Sequence, residues 1–338
     1  MTKIALLGGG SWGTALAVVF SRTRKPHEIS LWVHNAGLAE IIHRNRENST
    51  YLPGIAVPTS IRVTSNLEEA LGGAEIVIGA MPSTHARNIF AQAMPHLSAD
   101  LIFISATKGL EPSTHLRISR VLAQVLLQKK DVHGPHRMAV LSGPSFAAEA
   151  ARGEPTAVVL ASDDAALGAY LQAELAGPAF RLYTNDDVLG VEMAGAMKNV
   201  IAIAAGTCQG LGLGTNALAA LVTRGLAEMS RLVTALGGKP ETLSGLAGLG
   251  DLVLTCTGTQ SRNRHVGIEL GKGRPLANIL AEMRMVAEGV GTAGALLDLS
   301  REHGIELPII EQVDAILHHG KSPRVAIQEI MERPLKKE

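Results

Sequence analysis

The chain has 338 residues, 46% apolar and 18% charged, far from the low-hydrophobicity, high-charge range in which chains stay unfolded. Its 31 Lys and Arg balance 31 Asp and Glu, and aromatic residues make up only 3%; this excludes a global field for nucleic acid or anionic membranes and a base-stacking platform for single strands. The length exceeds the ~250 residues at which single cores usually stop growing, which implies two domains.

Met1-Thr2-Lys3, followed by the apolar run Ile4–Leu7 and three glycines, lacks the long apolar core and cleavage site of a signal peptide and reads as a strand. Similar β-rich runs recur at Ile29–Val33, Ile61–Thr64, Ile76–Ala80, Leu101–Ser105 and Met138–Leu141. They alternate with helical spacing, the signature of parallel βαβ units. Several are apolar throughout, as expected when helices cover both faces of a sheet. Two more, Thr156–Leu160 and Phe180–Tyr183, extend or close the sheet, and the polar stretch at 128–137 reads as an exposed loop. After the turn-forming Tyr183-Thr184-Asn185-Asp186-Asp187 the pattern becomes helical and rich in Ala, Leu, Gly and Met. The predicted architecture is therefore an α/β N-terminal domain over 1–189, a doubly wound sheet of the Rossmann type, and an all-α C-terminal domain over 190–338. Apolar runs are broken before the ~18–20 residues that span a bilayer, so no membrane insertion is expected. Cys208 and Cys256 form no C-x-x-C pair, which suits a reducing cytoplasm.

Directly after the first strand, Gly8-Gly9-Gly10-Ser11-Trp12-Gly13 contains G-x-G-x-x-G and runs into the apolar helix Thr14–Phe20. Gly8 permits the tight turn, Gly10 lets a pyrophosphate approach the backbone, and Gly13 lets helix and strand pack closely; the alternative is a tight turn that binds nothing. The second strand of an NAD-binding unit normally ends in Asp or Glu, but here it leads into His34 and Asn35. Nothing there repels a 2′-phosphate, so NADP is expected to be accepted as well as NAD or better, unless His34 is an ordinary exposed histidine.

Two motifs follow strands at the carboxyl side of the sheet, Ser105-Ala106-Thr107-Lys108-Gly109-Leu110-Glu111 and Ser142-Gly143-Pro144-Ser145-Phe146-Ala147. Lys108 is placed to meet an anionic substrate or is a solvated loop charge. In the helical run Met193–Gly206, Lys198 is the only charge, with small or apolar neighbours three and four residues away. Burial there lowers a lysine from its ordinary value near ~10.4 and makes it usable for proton transfer; the alternative is a lysine that snorkels to solvent. Further on, Ser261 caps a helix that opens with Arg262, Asn263 and Arg264, a phosphate receptor or a solvated basic helix start. No histidine lies in a metal-ligand spacing, so no metal is expected. Hydride transfer with a nicotinamide cofactor fits these residues; an NAD(P)-binding sensor without turnover is the competing class.

The chain resembles the bacterial NAD(P)-dependent glycerol-3-phosphate dehydrogenases over nearly its whole length. The resemblance rests on G-G-G-S-W-G-T-A-L-A at 8–17, A-T-K-G-L-E at 106–111, S-G-P-S-F-A at 142–147, K-N-V-I-A-I at 198–203, T-R-G-L-A-E-M at 223–229, G-L-G-D-L-V-L-T-C-T at 248–257, Q-S-R-N-R at 260–264 and E-G at 288–289, in that order. It implies reversible reduction of dihydroxyacetone phosphate to sn-glycerol 3-phosphate, the backbone precursor of phospholipids. It also implies that Lys198 is the proton acceptor, with Lys108, Gly143, Ser145, Asp251, Ser261, Arg262 and Asn263 around the phosphorylated substrate. Ser11, Trp12, His34, Lys108, Ala147, Arg262, Val286 and Glu288 would contact the cofactor, NADP or NAD. A sister β-hydroxyacid dehydrogenase, acting on a carboxylate, is the nearest alternative. The sequence leaves the oligomeric state open, a homodimer included.

Overall fold

The computed structural model describes residues 1–97, 100–128, 137–335 and 337; most of the expected loop at 128–137 lies outside the described residues. The chain divides into two compact units, Met1–Glu111 with Leu116–Glu192, and Pro112–His115 with Met193–Glu338.

In the first unit the described residues form one sheet from β1 (Thr2–Leu7), β2 (His27–Trp32), β3 (Ile61–Thr64), β4 (Ile76–Gly79), β5 (Ile102–Ser105), β6 (Arg137–Ser142), β7 (Thr156–Ala161) and β8 (Phe180–Asn185). The order is β3-β2-β1-β4-β5-β6-β7-β8. Neighbours from β3 to β6 are parallel, with Ile4 of β1 level with both Ile29 and Ile76. Between the strands run α1 (Ser11–Phe20), α2 (Ala36–Asn45), α3 (Leu67–Leu71), α4 (Ala86–Ala93), α5 (Ile118–Leu126), α6 (Ala147–Arg152) and α7 (Ala165–Leu175). Successive strand residues point to opposite faces, which gives the sheet two apolar layers. Ile4, Leu6, Ile78 and Ile104 pack with Leu16 and Phe20 of α1 and Leu171 of α7. Ala5, Leu7, Val77 and Phe103 pack with Phe90 of α4 and Leu122 of α5.

β6 and β7 are antiparallel, Leu141 opposite Leu160, while β7 and β8 are parallel. The chain returns from β6 to β7 through the six-residue α6.

α8 (Val188–Gly210) follows, with Asp187 at its start accepting from the Gly190 N–H at 2.7 Å. Among the described residues the second unit is helical: α9 (Thr215–Ala235), α10 (Pro240–Ser244), a π-helical turn Leu246–Gly250, α11 (Asp251–Thr257), α12 (Arg262–Gly271), α13 (Leu276–Glu282), α14 (Glu288–Glu302), α15 (Pro308–His318) and α16 (Pro323–Met331). By length and composition α8 would pass for a membrane span, despite Lys198, but 83% of the qualifying window is buried inside the protein. It is a core helix.

Two glycine pairs set its packing. A Cβ on Gly206 of α8 would overlap the Arg264 carbonyl oxygen, and one on Gly267 of α12 would overlap that of Ile203. Gly210 and Gly271 meet one turn further on. The backbones of α8 and α12 therefore touch, which keeps the start of α12 beside the middle of α8. Elsewhere in this unit, Glu228 of α9 accepts from the backbone N–H groups of Ile309 at 2.7 Å and Ile310 at 3.3 Å, capping α15, whose own cap position, Leu307, offers no acceptor. Burial pushes the Glu228 carboxyl up to about 7.

Candidate active site

In the first unit the loop after β1 lies at the point where the chain leaves β1 for β2 on one side and reaches β4 on the other, the crevice in which open α/β sheets hold ligands. Gly8 has φ +128° and a Cβ there would stand 2.8 Å from the Ala80 carbonyl oxygen, just beyond β4. Only glycine fits that backbone. A Cβ on Gly13 would overlap the Gly8 carbonyl oxygen, so close helix–strand packing fixes that position too. Gly10 differs: a Cβ would meet nothing within 4 Å. It occupies the cap position of α1 without a side-chain hydrogen bond to the first turn. A smooth, open helix start with unspent N–H groups is what a pyrophosphate needs, and the cradle fits a dinucleotide.

Ser11 and Trp12 form the first turn of α1, and the Trp12 indole Nε1 is buried with no hydrogen-bond partner. Asn48, fully buried and unremarked in the sequence, donates to the Gly9 carbonyl at 2.9 Å and to Thr14 Oγ1 at 2.8 Å, bracing the glycine loop. His34 is exposed one residue beyond Val33, its ring 5.6 Å edge-on from Trp32. Asn35 is committed to capping α2 through Leu38 N.

The two motifs after β5 and β6 meet. Lys108 Nζ donates to the Gly143 carbonyl at 2.9 Å, and Ser145 Oγ donates to the same oxygen at 3.0 Å. Gly143 has φ +127°, and a Cβ would come 3.1 Å from Val158 Cα. Ala147 opens α6, half-buried against the sheet.

In the second unit Lys198 is 5% exposed on α8. Its ammonium pairs with Asp251, which is fully buried, and donates to Thr255 Oγ1 at 3.0 Å. Thr255 in turn donates to the Asp251 carbonyl at 2.6 Å. The neighbours of Lys198 three and four residues away on α8 are small or apolar, and the carboxylate comes from α11. Asp251 is brought there by the π-helical turn, where a Cβ on Gly248 would strike the Leu243 backbone. Cys256 beside it is a buried free thiol pushed up to about 12 by desolvation, and so inert.

Ser261 caps α12, accepting from Arg264 N at 3.2 Å. Arg262 is exposed and donates through Nη1 to the Val286 carbonyl at 2.8 Å; desolvation lowers its guanidinium while the charge of Glu288 opposes this. Arg264 turns away towards the Gly258 carbonyl. Asn263 is buried, and its amide donates to Asn199 Oδ1 at 2.9 Å and accepts from Gly289 N at 3.0 Å. This knot joins α8, α12 and the start of α14, where Glu288 and Val286 lie. Asn199, next to the lysine, and Thr255 carried no signal of their own in the sequence. Among the described residues no group of three or more His, Cys, Asp or Glu is arranged to hold a metal.

Comparison with known proteins gives the family. The family profiles "NAD-dependent glycerol-3-phosphate dehydrogenase N-terminus" and "C-terminus" match residues 3–168 and 187–328. A protein of Koribacter versatilis named glycerol-3-phosphate dehydrogenase [NAD(P)+] is 54% identical, the match covering 99% of this chain and 98% of the relative, and one from Geobacter sulfurreducens is 48% identical over 99% and 98%. The crystal structure of glycerol-3-phosphate dehydrogenase from Coxiella burnetii is 41% identical, with a TM-score of 0.92 over 98% of this chain and 99% of that one. The chain belongs to the NAD(P)-dependent glycerol-3-phosphate dehydrogenase family.

Proposed function

We propose that the protein reversibly reduces dihydroxyacetone phosphate to sn-glycerol 3-phosphate with NADPH or NADH, supplying the backbone of phospholipids. Residues 1–189 form the dinucleotide-binding domain and residues 190–338 the helical substrate-binding domain, each lending a few residues to the other ligand. The observation that carries this reading is the buried Lys198–Asp251–Thr255 cluster tied through Asn199 and Asn263 to the start of α12. When bound, the reduced nicotinamide supplies the hydride to C2 of the ketone. Lys198 gives its proton to the oxygen on C2 as negative charge develops there, and takes it back in the oxidation. Asp251 and Thr255 hold the ammonium in one place. Ser261, Arg262 and Asn263, with Lys108, Gly143 and Ser145, receive the phosphate and hydroxyl groups; Gly8, Gly10, Ser11, Trp12, Gly13, His34, Ala147, Val286 and Glu288 serve the dinucleotide. Balanced charge and two buried free thiols fit a cytoplasmic enzyme of small molecules.

Arg262→Ala tests the phosphate site. A charge-assisted hydrogen bond is worth about 1.5–3 kcal/mol, so kcat/KM for dihydroxyacetone phosphate at saturating NADPH is expected to fall about 10- to 150-fold, and that for dihydroxyacetone much less. Equal losses on both substrates would assign Arg262 to the cofactor or the fold.

For the cofactor, NADPH is expected to be used at least as well as NADH. A new carboxylate ~4 Å from a 2′-phosphate costs between ~1 and ~4 kcal/mol per unit charge. His34→Asp should therefore move the NADPH/NADH ratio of kcat/KM towards NADH by roughly 10-fold or more. An unmodified protein with strong NADH preference would contradict this role for His34.

A further inference from the structure

The A-T-K-G-L-E motif contains a residue that the proposed chemistry leaves without a task. Glu111 is 6% exposed, three residues beyond Lys108. Both of its carboxylate oxygens are taken by one guanidinium: Arg87 of α4 donates from Nε to Oε1 at 2.8 Å and from Nη2 to Oε2 at 2.7 Å. Nη2 also reaches Gln124 Oε1 of α5 at 2.9 Å. A two-point fork fixes direction as well as distance.

The rest of the loop is held in the same manner. Thr107 Oγ1 donates to the Met81 carbonyl at 2.8 Å, Gly109 takes φ +134°, and Glu111 N donates to the Leu116 carbonyl at 2.9 Å. Leu110 pairs with Arg117, whose Nη1 donates to the buried Glu192 at 2.8 Å. Glu192 also accepts from Ser119 N at 2.9 Å. Lys108 thus projects from a segment held before it by the Thr107 hydroxyl on the Met81 carbonyl and after it by two buried carboxylates, Glu111 and Glu192. A partly buried ion pair is a poor device for stability alone, because its desolvation offsets much of its attraction. A lysine side chain is long and rotamer-rich, so its aim depends on how firmly its backbone is held.

We propose that the Arg87–Glu111 pair is a positioning device that aims the Lys108 ammonium at the Gly143 carbonyl and so at the anionic ligand. The inference rests on the proposed role of Lys108 in that site. The test is a double-mutant cycle on the full chain, with NADPH oxidation by dihydroxyacetone phosphate as the readout and thermal unfolding as the control for folding. Lys108→Ala is expected to lower kcat/KM about 10- to 150-fold. Glu111→Gln, nearly isosteric, should lower it about 10-fold, within the range that a misplacement of ~1 Å produces. Arg87→Gln breaks the same pair from its more exposed partner and should give the same loss. In the Lys108→Ala background each change should cost less than about twofold more, because nothing is left to aim. Losses that add in full would make the pair merely structural and overturn the proposal. So would full activity in Glu111→Gln and Arg87→Gln while Lys108→Ala is impaired. Full activity in Lys108→Ala would instead remove the role of Lys108, and the proposal with it.

Discussion

Lys198→Met is expected to lower turnover with dihydroxyacetone phosphate by roughly 10²- to 10⁴-fold, the usual worth of a positioned general acid or base. The same change takes the ammonium away from Asp251, which is fully buried. Removing one partner of a buried pair typically costs about 3–5 kcal/mol, a large share of the ~5–15 kcal/mol that holds a domain together. Lost activity in the single variant therefore mixes chemistry with folding. The pair Lys198→Met with Asp251→Asn separates them, since it leaves neither charge buried alone. Its unfolding midpoint in urea should return close to that of the parent, because replacing both charges is often nearly neutral. Its turnover should stay as low as that of Lys198→Met. Recovery of activity together with stability would make Lys198 a structural residue.

The second large effect is that of Asp251→Asn alone. The ammonium then keeps Thr255 Oγ1, 3.0 Å away, but loses the carboxylate it pairs with, and stability should drop by about 3–5 kcal/mol. Here pH gives a signature. A buried amine that prefers to be neutral binds fewer protons in the native state than in the unfolded chain, so stability rises with pH. The deficit of Asp251→Asn should narrow as pH is raised towards the ordinary lysine value near ~10.4. A deficit that stays constant across that range would mean that Lys198 draws its charge compensation from elsewhere.

The strands were legible because each is a short apolar run bounded by turn residues, and a parallel sheet buried on both faces needs just that. The reversal at β7 was not, because an apolar run marks a strand without marking its direction. Lys198 stood out as a lone charge in an apolar helix. Its partner Asp251 did not, since the π-helical turn that delivers it arises from Gly248 packing on the Leu243 backbone. Asn263 illustrates the same limit. Family resemblance sets it beside the substrate, and nothing in its spacing announces that its amide also bonds Asn199 and the Gly289 N–H. Short-range spacing names candidates, but the contacts between distant segments decide what each candidate holds. Nor does the sequence single out the glycines of α8 and α12, where the close approach of the two backbones leaves no room for a Cβ.

The proposed reaction uses a buried lysine and a helix-start phosphate site to reduce a phosphorylated ketone. The most direct measurement is oxidation of NADPH and of NADH by the purified protein with dihydroxyacetone phosphate, beside dihydroxyacetone and short 2-oxo acids, with and without a metal chelator. Turnover with dihydroxyacetone phosphate that is undiminished by chelator, and far above that with the other substrates, is the predicted result. Turnover on a 2-oxo acid exceeding that on dihydroxyacetone phosphate, or cofactor binding with no turnover on any of them, would contradict it.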